Sequence, residues 1–165
     1  MKKLCFLFII LFWAKIFVCF AQEGTGVEAE EPLSLEQAAD DQKFGNGMNF
    51  MSLKRYDKAL EEFLEYLEIY YNGSHRHEAY AQIAGIHFGR QRYLKAINYY
   101  KRLYEEFSDS EVGIEGYYNM GVCYVKMGYN RQALEIFSKI TQEHPASPQA
   151  AKAQVQVKFI EMFEK

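Results

Sequence analysis

The chain has 165 residues, a one-domain length, with 19 Lys and Arg against 22 Asp and Glu. The net charge of −3 offers no cationic excess for a polyanion partner such as nucleic acid, and three cysteines allow at most one intramolecular disulfide, not a framework. What holds the fold must be an apolar core, and beyond residue 21 the chain keeps 13 Tyr and 8 Phe to fill it.

Residues 1–21 read as a secretory signal: Lys2 and Lys3, an apolar run from Leu4, and Cys19-Phe20-Ala21 as a cleavage site before Gln22. Two alternatives are an uncleaved anchor, which Lys15 disfavours, and lipidation at Cys19, which bulky Val18 disfavours. Cleavage would leave 16 basic and 22 acidic residues, a net charge of −6, and Cys123 without an intramolecular partner. Residues 22–33, acidic and without apolar period, suit a flexible linker.

From Ser34 the chain reads as seven helices and no strand. Ser34 and Gln37 form a capping-box pattern for a helix to about Leu53. Its segment Phe44 to Met51 holds two Gly and two Asn, which suggests fraying or ordering on binding. Tyr56, Ala59, Leu60, Phe63 and Leu67 mark the second helix, stopped at Asn72-Gly73, and Ser74 is positioned to cap the third. The third ends near Gly89, the fourth runs from Tyr93 to Phe107, and the fifth from Ser110 to Gly128. A sixth ends before Pro145, and Ser147-Pro148 opens a seventh to Phe163.

The organising signal is a period of 37 residues. Ala59, Ala96 and Ala133 coincide, as do Phe63, Tyr100 and Phe137, then Gly47, Ala84 and Gly121, and Tyr66, Leu103 and Ile140. Helices approach closely where one offers a small residue to the other's bulky one, and this pattern supplies that arrangement twice per hairpin.

Tyr117-Tyr-Asn-Met-Gly121, Tyr124, Gly128, Ala133, Phe137 and Pro145 resemble the tetratricopeptide repeat. The second repeat matches more loosely, and the first departs with Lys43 at an aromatic site and Tyr71 at the proline. The resemblance implies an all-α, right-handed superhelical solenoid over residues 34–165: hairpins at about 40–73, 77–110 and 114–147, and a C-terminal capping helix at 148–163. His144-Pro-Ala-Ser-Pro-Gln-Ala-Ala-Lys-Ala153 is similar to a link in exported tetratricopeptide proteins of the Gram-negative envelope, including the periplasmic Tol-Pal partner and outer-membrane assembly lipoproteins. That likeness and the signal imply a periplasmic, non-catalytic scaffold binding an envelope protein or peptide. A membrane-tethered assembly factor, an accessory subunit of a cell-wall enzyme complex and a self-assembling structural protein are the alternatives.

In the family the partner groove is lined by the first helix of each repeat. The resemblance therefore implies Phe44, Met48 and Met51, then Ala81, Gly85 and Phe88, then Tyr118, Val122 and Val125 as groove residues, with core packing as the competing role. Their apolar character fits a helix or extended peptide better than a carboxylate. No cofactor, metal or catalytic residue is expected. His75 and His77 read as a solvated pair, His87 and Cys123 as core residues, and Glu61, Glu62, Glu105 and Glu106 as solvated surface. Arg90, Arg92 and Lys95 form a small basic corner, and Asn72-Gly-Ser74 has the form of a glycosylation acceptor, relevant only to a eukaryotic secretory route.

Overall fold

The computed structural model describes residues 34–163. The signal, its alternatives at Lys15 and Cys19, and most of the linker lie outside the described residues. Those described form seven α-helices and no strand: α1 (Leu35–Ser52), α2 (Tyr56–Ile69), α3 (Arg76–Gly89), α4 (Tyr93–Glu106), α5 (Glu111–Lys126), α6 (Asn130–Glu143) and α7 (Pro148–Phe163). Each helix packs on the next, giving hairpins α1–α2, α3–α4 and α5–α6 followed by α7. This is the all-α helical-repeat solenoid expected from the 37-residue period. No described helix is long and apolar enough to cross a membrane.

The small-against-large rule accounts for the hairpins. A Cβ added at Gly47 would overlap the ring of Phe63, and one at Gly121 would lie 2.6 Å from the ring of Phe137. Between hairpins the same device recurs, with Gly116 seated on Leu103. Gly47 is thus required by its neighbour, which is why α1 runs unbroken despite poor helix propensity over Phe44 to Met51. Serine caps begin three helices: the Oγ atoms of Ser34, Ser110 and Ser147 accept from the N–H groups of Gln37, Gly113 and Ala150 at 3.0–3.1 Å.

The junction between α2 and α3 departs from expectation. α2 ends at Ile69, before Asn72-Gly73, and α3 begins at Arg76, with His75 and not Ser74 at the N-cap. The reason lies at the position 37 residues before Ser110, where Gly73 has no hydroxyl to close the turn. Ser74 is instead held by α1, its N–H and hydroxyl each donating to Asp40 Oδ2 at 2.8 Å.

The core has two parts that meet at α3. Phe44, Ala59, Phe63, Tyr66, Ala79, Ile83 and Ile86 form one, and Ala84 joins the other with residues of α4 to α7. α3 packs on α5 and α5 on α7, whereas α1 and α3 have no comparable packing.

Candidate protein-interaction site

α1 is attached to the start of α3 through side chains at its N-terminal half. His75 stacks on Phe44 with ring centroids 4.4 Å apart, and its Nε2 and Nδ1 lie 2.8 Å from Asp41 Oδ1 and 2.6 Å from Glu78 Oε2. Burial works against the charged ring, but hydrogen bonds to Asp41 and Glu78 and the charge of Asp40 outweigh it, so the imidazole titrates above its ordinary value. Asp40 is buried too. Burial raises its carboxyl, while the Tyr66 hydroxyl, both Ser74 donors and the charge of His75 bring it below the usual range. The solvated histidine pair expected from sequence is therefore corrected: His75 is a pinned ion-pair partner, and His77 lies edge-on to Phe107.

Arg76 adds a second clamp. Its Nε and Nη2 donate to Glu106 at 2.6 and 3.0 Å, Nη1 donates to the carbonyls of Leu67 and Tyr70, and Nη2 to the Tyr80 hydroxyl. The guanidinium thus satisfies the orphan carbonyls at the end of α2 while bound to α4. Glu106, expected on a solvated face, is held below the usual carboxyl range by Arg76. Glu62 is likewise no free surface acid, since it and Glu65 take the ammonium of Lys43. These partners lie about thirty or about twenty residues apart, outside the repeat register that sequence reading can use.

With the N-terminal half of α1 tied down, a cleft of about 340 Å³ remains between the C-terminal ends of α1 and α3. It is lined by Met51, Tyr56, Gly85, Ile86, Gly89 and Arg90. A Cβ at Gly85 or Gly89 would meet nothing within 4 Å, so bare backbone faces the cleft along one turn of α3. At its rim Arg90 donates to Asp57 at 2.6 Å and lies 6.0 Å from the Tyr56 ring.

The predicted groove residues separate on this geometry. Met51 lines the cleft and Met48 is 39% exposed on the same helix. Phe44 is corrected to the core, since it is packed between Phe63, Tyr66 and His75. Phe88, Tyr118, Val122 and Val125 are half-buried against the second core part, and Tyr118 lies 5.4 Å from the Phe137 ring. Tyr56, Gly89 and Arg90 were missed. In the sequence Tyr56 reads as part of one face of the second helix, Gly89 as a helix end, which it is, and Arg90 as part of a basic corner.

Cys123 and His87 lie in the core, as expected from sequence. Burial pushes the Cys123 thiol up to about 12, which leaves little thiolate at neutral pH. His87 is buried and titrates below its ordinary value, through burial and the nearby cations Lys95, Arg92 and Arg90. Among the described residues no group of three or more His, Cys, Asp or Glu is placed to hold a metal ion.

Comparison with curated proteins finds no match. The model of a family described as "Intraflagellar transport protein 56" matches residues 30–164, nearly all of the helical region. Intraflagellar transport belongs to the cilia of eukaryotic cells, so the periplasmic location implied by the signal and the link at Pro145 is overturned, and the bacterial-envelope kinship finds no support. The link has a simpler physical role: Ser147 Oγ accepts from Ala150 N–H and donates to the His144 carbonyl, capping α7. A helical scaffold for protein interaction is what the family and the repeat architecture share. The chain belongs to the intraflagellar transport protein 56 family.

Proposed function

We propose that this chain is a non-catalytic adaptor in intraflagellar transport, and that it holds an extended or helical segment of a partner protein in the cleft between α1 and α3. The observation that carries the reading is the bare backbone of Gly85 and Gly89 beside Met51 and Tyr56. Such a surface lets a partner backbone approach α3 closely, while a thioether and an aromatic ring adapt to its side chains. Arg90 at the rim gives that segment a place for an acidic residue in exchange for Asp57.

Filling the cleft is a clean test because both glycines lie within α3. Gly85→Leu with Gly89→Leu adds bulk where space is open and raises helix propensity by about 1 kcal/mol at Gly85 and by less at Gly89, the last residue of α3. The variant is expected to melt no lower than the parent and yet to lose at least tenfold of the proteins captured from ciliated-cell extract, as quantified by mass spectrometry. Capture of the same proteins in the same amounts by both forms would refute the cleft as the binding site.

A further inference from the structure

α7 continues the repeat register but carries a different outer face. Counting 37 residues from α5, Val155 stands in the place of Tyr118, Phe159 of Val122 and Met162 of Val125. The α5 residues are half-buried, whereas Val155, Phe159 and Met162 are 64%, 53% and 67% exposed. Phe163 is exposed beside them, its ring 4.7 Å from that of Phe159. Spacings of four and three put this stripe on one side of α7, opposite Ala153 and Ile160, which bury the helix against the core.

Two lysines define what fits on the stripe. Lys158 occupies the position of Gly47, Ala84 and Gly121, where the first and third hairpins receive an aromatic ring from the paired helix. A long charged side chain there excludes an aromatic-bearing helix at that separation, so the face is not shaped for the second helix of another such hairpin. Lys152 and Lys158 lie three residues to either side of Val155, hence about 60° away on each flank. Both are exposed, and neither forms an ion pair among the described residues.

The geometry points to α7 as a second docking face, for an amphipathic helix of a partner protein whose apolar stripe covers Val155, Phe159 and Met162 and whose flanking acids pair with Lys152 and Lys158. Apolar burial supplies the attraction and the two charge pairs fix register and reject basic helices. This face is separate from the cleft, so either can fail alone.

The probe is a fluorescein-labelled 20-residue designed helix with a leucine stripe flanked by glutamates, compared with the same helix flanked by lysines, by fluorescence anisotropy against the full chain. The acidic helix is expected to bind at least tenfold tighter than the basic one. Lys152→Glu with Lys158→Glu is expected to reverse the preference, and Phe159→Ser with Met162→Ser to weaken the acidic helix at least tenfold without lowering the melting temperature. Gly85→Leu with Gly89→Leu is expected to leave it unchanged. Equal binding of the two helices, binding of neither, or loss only in the cleft variant overturns the proposal. So does a concentration-dependent dimer that Phe159→Ser dissociates, because a second copy would then cover the stripe.

Discussion

Two carboxylates claim the two ring nitrogens of His75, and a phenylalanine ring covers its face. With its pKa raised in the folded chain, the ring contributes stability that is complete below the ordinary value of about 6.5 and is lost as pH rises through the higher folded value. Asp40, with its pKa lowered, acts in the opposite sense, contributing above the ordinary carboxyl range and losing its effect only as pH falls through the lower folded value. His87 is also depressed, so its contribution is present above about 6.5 and lost on acidification. Replacing His75 by Phe keeps the stack on Phe44 and removes both ion pairs. At pH 6 the variant is expected to be about 1 kcal/mol less stable in urea, since each acid is partly exposed. The parent's advantage should shrink to nothing with rising pH. A constant difference from pH 6 to pH 9 would show that protonated His75 is not the link.

At the scale of the element, the turns inside the hairpins repeat more faithfully than their sequences do. Lys54, Gln91 and Gly128, spaced by 37, all take positive φ at 56°, 57° and 77°. After each, the N–H of Arg55, Arg92 or Tyr129 donates to the carbonyl five residues earlier at 2.9 Å, the Schellman closure of a helix end. Only Gly128 announced itself in the sequence, because residue identity signals positive φ for glycine and not for Lys or Gln. The repeat register is what exposes the other two. A side chain in this conformation costs roughly 1 kcal/mol, so Lys54→Gly and Gln91→Gly are each expected to raise stability by about 0.5–1 kcal/mol and Gly128→Ala to lower it by about 1. Shifts in the urea midpoint at unchanged m-value report this directly. A loss of stability in both glycine variants would contradict the account.

For the whole molecule, legibility followed the range of the interaction. The alanines, glycines and rings of the hairpins could be aligned because steric fit recurs at a fixed period. The Asp40–Ser74 and Arg76–Glu106 contacts occur once each and join residues 34 and 30 apart, so no pattern announces them. The cleft was half visible: Met51 and Gly85 were candidates, yet α1 is tied to α3 chiefly at His75, a contact without a counterpart in the repeat register. The same irregularity sets how the chain opens. Hairpin α1–α2 shares its core part with one face of α3, Ala79, Ile83 and Ile86, while Ala84 on the other face belongs to the part reaching α7. In a repeat array whose units contact only neighbours, the weaker junction opens first. Amides of Ala59 to Tyr66 should therefore exchange through a lower-energy opening than those of Met120 to Ile140, measured by native-state hydrogen exchange. Glu106→Gln removes the charge facing buried Arg76 and should speed exchange in α1 and α2 at least tenfold, with α5 and α6 unaltered. Equal acceleration in all four helices would mean that the two core parts unfold as one unit and that the Arg76 clamp serves the whole array.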